Sequence, residues 1–109
     1  MPNPTTYVRL VDREAERALP TTERFRQQLI DERSGSSGTS VVYVRTPSGG
    51  GSPKGIHSHE TDQFFYVLEG TMSISVDGKE FQAGPGSLIF FPAGVPHRNW
   101  NEFDIPTKH

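Results

Sequence analysis

From residue 40 onward the chain is written in short runs in which apolar and polar residues alternate. Residues 40–46 (Ser-Val-Val-Tyr-Val-Arg-Thr) form the clearest run, and 56–59, 63–69, 71–76, 80–83, 87–91 and 96–100 follow it. Successive side chains of a strand point to opposite faces, so this period of two predicts half-buried strands. Between the runs stand Gly70, Asp77-Gly78, Gly84-Pro85-Gly86 and Ala93-Gly94. Asp77-Gly78, flanked by Met72-Ser-Ile-Ser-Val76 and Glu80-Phe81, is a strong hairpin signal, because a two-residue turn there needs positive φ. Gly70, Gly84, Gly86 and Gly94 are expected to serve turns with positive φ. Evenly spaced short strands predict an all-β sandwich or barrel.

The first third of the chain is less regular. Tyr7-Val-Arg-Leu-Val11 is a short strand candidate, and residues 12–19 fit a helical turn that Pro20 ends. Within 22–33, Phe25, Leu29 and Ile30 fit a helix face with Thr22 as its cap. The same residues also fit the first arm of a β-hairpin ahead of 40–46, and the β character of the rest favours the hairpin. Residues 47–53 (Pro-Ser-Gly-Gly-Gly-Ser-Pro) form a loop on the rim. The expected organisation is an N-terminal arm over 1–20 and a barrel over 21–109.

Composition narrows the role. A chain of 109 residues is one domain. Its hydrophobic content is 32%, low enough to suggest that some apolar surface is shared with a second copy in a homodimer. The net charge of −2, with both signs interspersed, gives no reason to expect nucleic acid or an anionic membrane as partner. Without cysteine there is neither a disulfide framework nor a thiolate metal site. No apolar run approaches the ~20 residues of a membrane helix. The polar start, Met1-Pro-Asn-Pro-Thr-Thr6, does not read as a signal peptide, so a cytoplasmic protein is expected.

Chemistry concentrates in histidine. Neutral imidazole offers a lone pair near pH 7 and is the commonest side-chain metal ligand. His57 and His59 are two apart and share one face of a strand; His97 lies in a second glycine-flanked run that a barrel can fold across to them. Asp62 has the opposite parity to the histidine pair, and Glu60 is a still poorer ligand. The fourth histidine, His109, is terminal and expected to be solvated.

These stretches closely resemble the two motifs of the cupin superfamily, in its small single-domain, RmlC-like form. The first motif runs Gly, five residues, His-x-His, three or four residues, Glu, six residues, Gly. Here His57-x-His59 is followed by Gln63 and Gly70 in register, and Gly51 or the nearer Gly55 opens it. The second runs Gly, five residues, Pro-x-Gly, two residues, His, three residues, Asn, and Gly86, Pro92, Gly94, His97 and Asn101 match it throughout. The motifs span residues 51–101. The departure is Gln63, where the family usually has glutamate.

The resemblance implies a double-stranded β-helix, or jelly-roll, barrel around one divalent transition metal (zinc, iron, manganese, nickel or copper). His57, His59, Gln63 and His97 are its expected ligands. Phe65, Val67, Phe91 and Asn99 are expected to line the pocket, with Phe90 and Asn101 as further candidates; no catalytic residue is assigned. A glutamine ligand leaves the ion about +2, where glutamate would leave about +1. That favours Lewis-acid chemistry on a small anionic or enolisable substrate, of isomerase, cyclase or lyase type. Two alternatives stand beside it: a metal-dependent dioxygenase of the quercetinase or diketone type, and a non-catalytic module that binds or senses a small ligand. A jelly roll of this family normally has a further long strand after Asn101; either the arm or a partner subunit is expected to fill the gap, or the chain is shorter than its relatives.

Overall fold

A computed structural model describes residues 7–51 and 58–109. Those residues form a jelly-roll β-sandwich with eight strands, one short α-helix and a 3-10 turn at Glu32–Ser34: α1 (Arg13–Ala18), β1 (Phe25–Ile30), β2 (Val41–Thr46), β3 (Gln63–Tyr66), β4 (Met72–Val76), β5 (Lys79–Ala83), β6 (Leu88–Phe91), β7 (His97–Trp100) and β8 (Thr107–Lys108). Among the described residues three antiparallel sheets run in the orders β1-β2-β8, β3-β6 and β5-β4-β7. The predicted hairpin between residues 25 and 46 is present, with Phe25 opposite Arg45 and Ile30 opposite Val41. The predicted strand at 56–59 falls partly outside the described residues, and residues 7–11 form no strand. Gln27 instead ties this segment down, donating to the Leu10 carbonyl at 3.1 Å and accepting from the Asp12 N–H at 2.7 Å.

Alternation sets the core. Along β6, Ile89 and Phe91 are buried while Leu88 and Phe90 face out. Val67, Met72, Ile74 and Ala83 join them, with Phe65 and Val76 packed against the cluster. The β4–β5 turn is the predicted Asp77-Gly78, with φ of 51° and 77°, the double positive φ of a turn whose twist matches its strands. Gly84 departs from the expectation by having an ordinary φ, whereas Gly70, Gly86 and Gly94 are left-handed.

The helix is fastened by buried charge. Asp12 caps α1 by accepting the Ala15 N–H at 3.0 Å. Glu16 is 4% exposed. It accepts from the Tyr43 hydroxyl at 3.0 Å and lies 3.1 Å from Arg13 and 3.4 Å from Lys108. Burial alone would raise the Glu16 pKa, but the bonds from Tyr43 and Arg13 and the charge of Lys108 outweigh it and hold the carboxyl below its ordinary value. Arg45, 4% exposed, donates to the carbonyls of Glu16 and Pro20 at 2.9 and 3.0 Å, closing the end of the helix onto β2.

Gly70 offers a test of backbone fit. Its φ is +78°, and a Cβ built there would stand 2.5 Å from the Pro106 carbonyl oxygen. Gly94 has a φ of +79° but open space around it. Gly70→Ala is therefore expected to destabilise by about 3 kcal/mol, against about 1 kcal/mol for Gly94→Ala, since only the former adds a clash with backbone to the left-handed penalty. Urea midpoints at constant slope read both, and equal losses would contradict the packing argument.

Candidate metal centre

The two motifs are sewn together through backbone. The Gly94 N–H donates to the His59 carbonyl at 2.7 Å, and the Ala93 N–H donates to Asp62 Oδ1 at 2.9 Å. The loop is closed on itself by the Val95 N–H to the Pro92 carbonyl at 3.1 Å. Asp62 is thus engaged in positioning the loop that delivers His97, and its opposite parity from the histidine pair becomes a structural role.

His97 begins β7 and is 2% exposed. Its Nδ1 lies 3.1 Å from the Val95 carbonyl oxygen, which can only accept. The ring proton therefore sits on Nδ1 and the lone pair on Nε2, the arrangement of an imidazole oriented for coordination. The His59 ring lies 5.2 Å from it, centroid to centroid, and His59 is exposed. On the other side Phe91 stacks on His97 at 4.2 Å. Gln63 is directly opposite Phe91 in the β3–β6 ladder, so the two side chains share a face. Gln63 Oε1 is buried and has no hydrogen-bond partner among the described residues. A buried amide oxygen without a donor costs about 1–3 kcal/mol, which a cation would offset. His57 lies outside the described residues.

Of the expected ligands, the described residues thus place His59 and His97 with their rings 5.2 Å apart and leave the buried Gln63 amide oxygen without a hydrogen-bond donor. Among the pocket candidates, Val67 is fully buried and Phe91 is 1% exposed. Phe65 sits edge-on to Phe91 at 5.0 Å. Asn99 is half-buried on β7. Phe90 is exposed at the surface rather than lining the interior. Asn101, 1% exposed, is turned away from the histidines: it donates to the Thr46 and Ile105 carbonyls and accepts the Phe103 N–H at 3.0 Å. Its place is structural, because these backbone bonds take up the buried amide.

The sequence reading missed His109. It is half-buried rather than solvated, with its ring 4.4 Å from Phe65. Its backbone exchanges two bonds with Val44, at 2.8 and 3.0 Å. Burial, with the positive charge of Arg24 adding to it, pushes its pKa down to about 4. Together with Tyr43, Gln63 and Phe65 it lines a cavity of about 390 Å³. Arg98 stacks over Trp100 at 4.3 Å, a packing role. No helix among the described residues is long and apolar enough to cross a membrane.

Comparison with known proteins agrees with this fold. The model of the cupin domain matches residues 42–108. An uncharacterised protein of Methanocaldococcus jannaschii is 32% identical over 59 residues, 53% of this chain and 47% of that one. Quercetin 2,3-dioxygenase of Bacillus subtilis is 37% identical over 57 residues, 52% of this chain and 17% of the enzyme. The chain therefore spans less than half the length of these two relatives. Among solved structures, the polyketide cyclase RemF of Streptomyces resistomycificus superposes with a TM-score of 0.69 and 28% identity, over 79% of this chain and 61% of the cyclase.

Proposed function

This chain belongs to the cupin family, and from that premise we propose a small metal-dependent enzyme acting by Lewis-acid catalysis on an anionic or enolisable substrate. His57, His59, Gln63 and His97 are its ligands in this reading, around a divalent transition metal. The observation that carries it is the buried, unpartnered amide oxygen of Gln63 beside the Phe91–His97 stack. A bound divalent ion supplies polarisation of a carboxylate, enolate or ketone oxygen. Gln63, being neutral, leaves the full charge of the ion to act on that oxygen, where a glutamate would cancel part of it. His97 is held for coordination by its Nδ1–H bond to Val95. Phe65, Val67 and Phe91 exclude water from the inner wall, with Asn99 as a further pocket residue in this proposal. The likeness to a polyketide cyclase, whose name implies enolisable substrates, supports the class.

The match to quercetin 2,3-dioxygenase favours a second reading, in which the same ligands serve oxygen chemistry. The two separate cleanly in one experiment. Protein purified without added metal is analysed for bound ions, then offered 1,3-diketones, flavonols and uronates with and without oxygen. Turnover that persists without oxygen supports the Lewis-acid reading; strict oxygen dependence supports the dioxygenase; bound metal with no turnover supports a ligand-binding module. Gln63→Glu is the sharper test. It is expected to retain metal about tenfold more tightly, because it adds ligand charge, and to turn over more slowly. Unchanged turnover would sink the charge argument.

We also propose that the protein works as a cytoplasmic homodimer. Phe64, Tyr66, Leu88 and Phe90, all more than half exposed, form an apolar patch on the outer face of β3–β6, the kind of surface that marks a partner site.

A further inference from the structure

The outer face of the β5-β4-β7 sheet is laid out in rows. Register sets Gln82, Ser73 and Trp100 side by side in one row, and Glu80, Ser75 and Arg98 in the next. Residues two apart share a face, and Ile74, between the two serines, is buried in the core, so both rows look away from it. The same alternation sends His97 inward and Trp100 outward from β7. This face therefore lies across the sheet from the candidate metal centre. The central strand carries short serines here, and the strands on either side carry long side chains. The result is a groove with a hydroxyl floor. A cavity of about 300 Å³ opens on it, lined by Ser73, Glu80, Phe81, Gln82, Trp100 and Glu102.

The chemistry of this groove is one-sided. Two carboxylates and an indole border the cavity, and none of the residues lining it is a cation. Glu102 follows Trp100 by two residues and is drawn over the floor, where its Oε1 accepts the Ser73 hydroxyl. Neither Glu80 nor Glu102 has an ion pair among the described residues, whereas Glu16 and Glu69 both do. Arg98 stands over the Trp100 ring at 4.3 Å, so the indole already draws a cation, yet that guanidinium is no part of the cavity wall. The Ser73 row, where Glu102 is held, and the Ser75 row, which carries Glu80, are about 7 Å apart along the strands. We propose that the groove binds a short linear aliphatic diammonium ion. One ammonium meets Glu102 beside Ser73, the other meets Glu80, and the methylene chain between them lies along the indole of Trp100. A single ammonium would answer one carboxylate and leave the other uncompensated. An anion would be repelled by both.

The test uses the full chain and its single tryptophan, Trp100, whose emission reports on this groove. Titration with 1,4-diaminobutane is expected to change that emission saturably, with butylamine binding at least ~10-fold more weakly. Glu80→Gln and Glu102→Gln are each expected to weaken the diamine about fivefold; the glutamine at 102 can still accept the Ser73 hydroxyl, so the floor is kept. Raising the ionic strength from about 0.05 to about 0.5 M is expected to weaken it as well, since both ends are charge pairs near the surface. Urea midpoints establish that each variant is folded. The titration is repeated in chelator, because a diamine can also take up a metal. An effect confined to the chelator-free sample overturns the proposal, as do equal affinities for the two amines, a variant that binds like the parent, or no saturable change in emission or in calorimetric heat. Saturation that persists in chelator and depends on both carboxylates supports it.

Discussion

Alanine in place of His97 is expected to weaken metal binding by at least ~100-fold, more than the loss of a supporting residue around a metal site usually costs. The same change removes a 2%-exposed ring stacked on Phe91, so the metal-free protein is expected to lose about 2–4 kcal/mol as well. The two effects separate by measuring urea midpoints in chelator and affinity by competition with a chromophoric chelator. Asp62→Asn is the informative control. An asparagine oxygen can still accept the Ala93 N–H, so this variant keeps the loop and is expected to keep the metal. Should Asp62→Asn lose the ion as completely as His97→Ala, Asp62 would be a ligand and Gln63 would lose its assigned place.

Much of this arrangement was legible because it is local. The run 87–91 is legible as a strand, though Phe90 and Phe91 compete for its inward place until the fold settles on Phe91, and the Asp77-Gly78 dipeptide marks its hairpin without help from the rest of the molecule. The motif spacing names Gln63 and His97 together, and the structure sets both against Phe91, Gln63 opposite it in the β3–β6 ladder and His97 stacked on its ring. What was hidden is what depends on partners far along the chain. Glu16 reads as one more surface charge on a short amphipathic turn. It is buried only because Tyr43, Lys108 and Arg13 meet it there. His109 reads as a frayed end. It lies inside because β8 is captured between β2 and residues 68–69, and no local pattern announces that capture. Asn101 is buried, but partners that the motif does not name, the Thr46 and Ile105 carbonyls and the Phe103 N–H, take up its amide.

The burial of His109 also makes stability depend on pH. An ordinary histidine has a pKa near 6.5, and burial beside Phe65, with Arg24 adding repulsion, lowers this one to about 4. The unfolded chain therefore binds a proton at higher pH than the folded chain does. Between pH 6.5 and 4 unfolding takes up that proton, so stability is complete above this window and falls as the solution is acidified through it. From pH 7 to 5 the loss attributable to His109 is expected to be about 2 kcal/mol, at 1.36 kcal/mol per pH unit. Glu16 does not confuse this range, because its carboxyl is held below the ordinary value of 4.5 and its contribution is lost only at lower pH. The measurement is the difference in urea stability between the parent and His109→Leu, followed from pH 7 to 5, which cancels the titration of the other histidines. The parent is expected to weaken relative to the variant on acidification. Parallel curves would mean that His109 takes up its proton as readily in the folded protein as in the unfolded one, and so is not buried against Phe65 and β2.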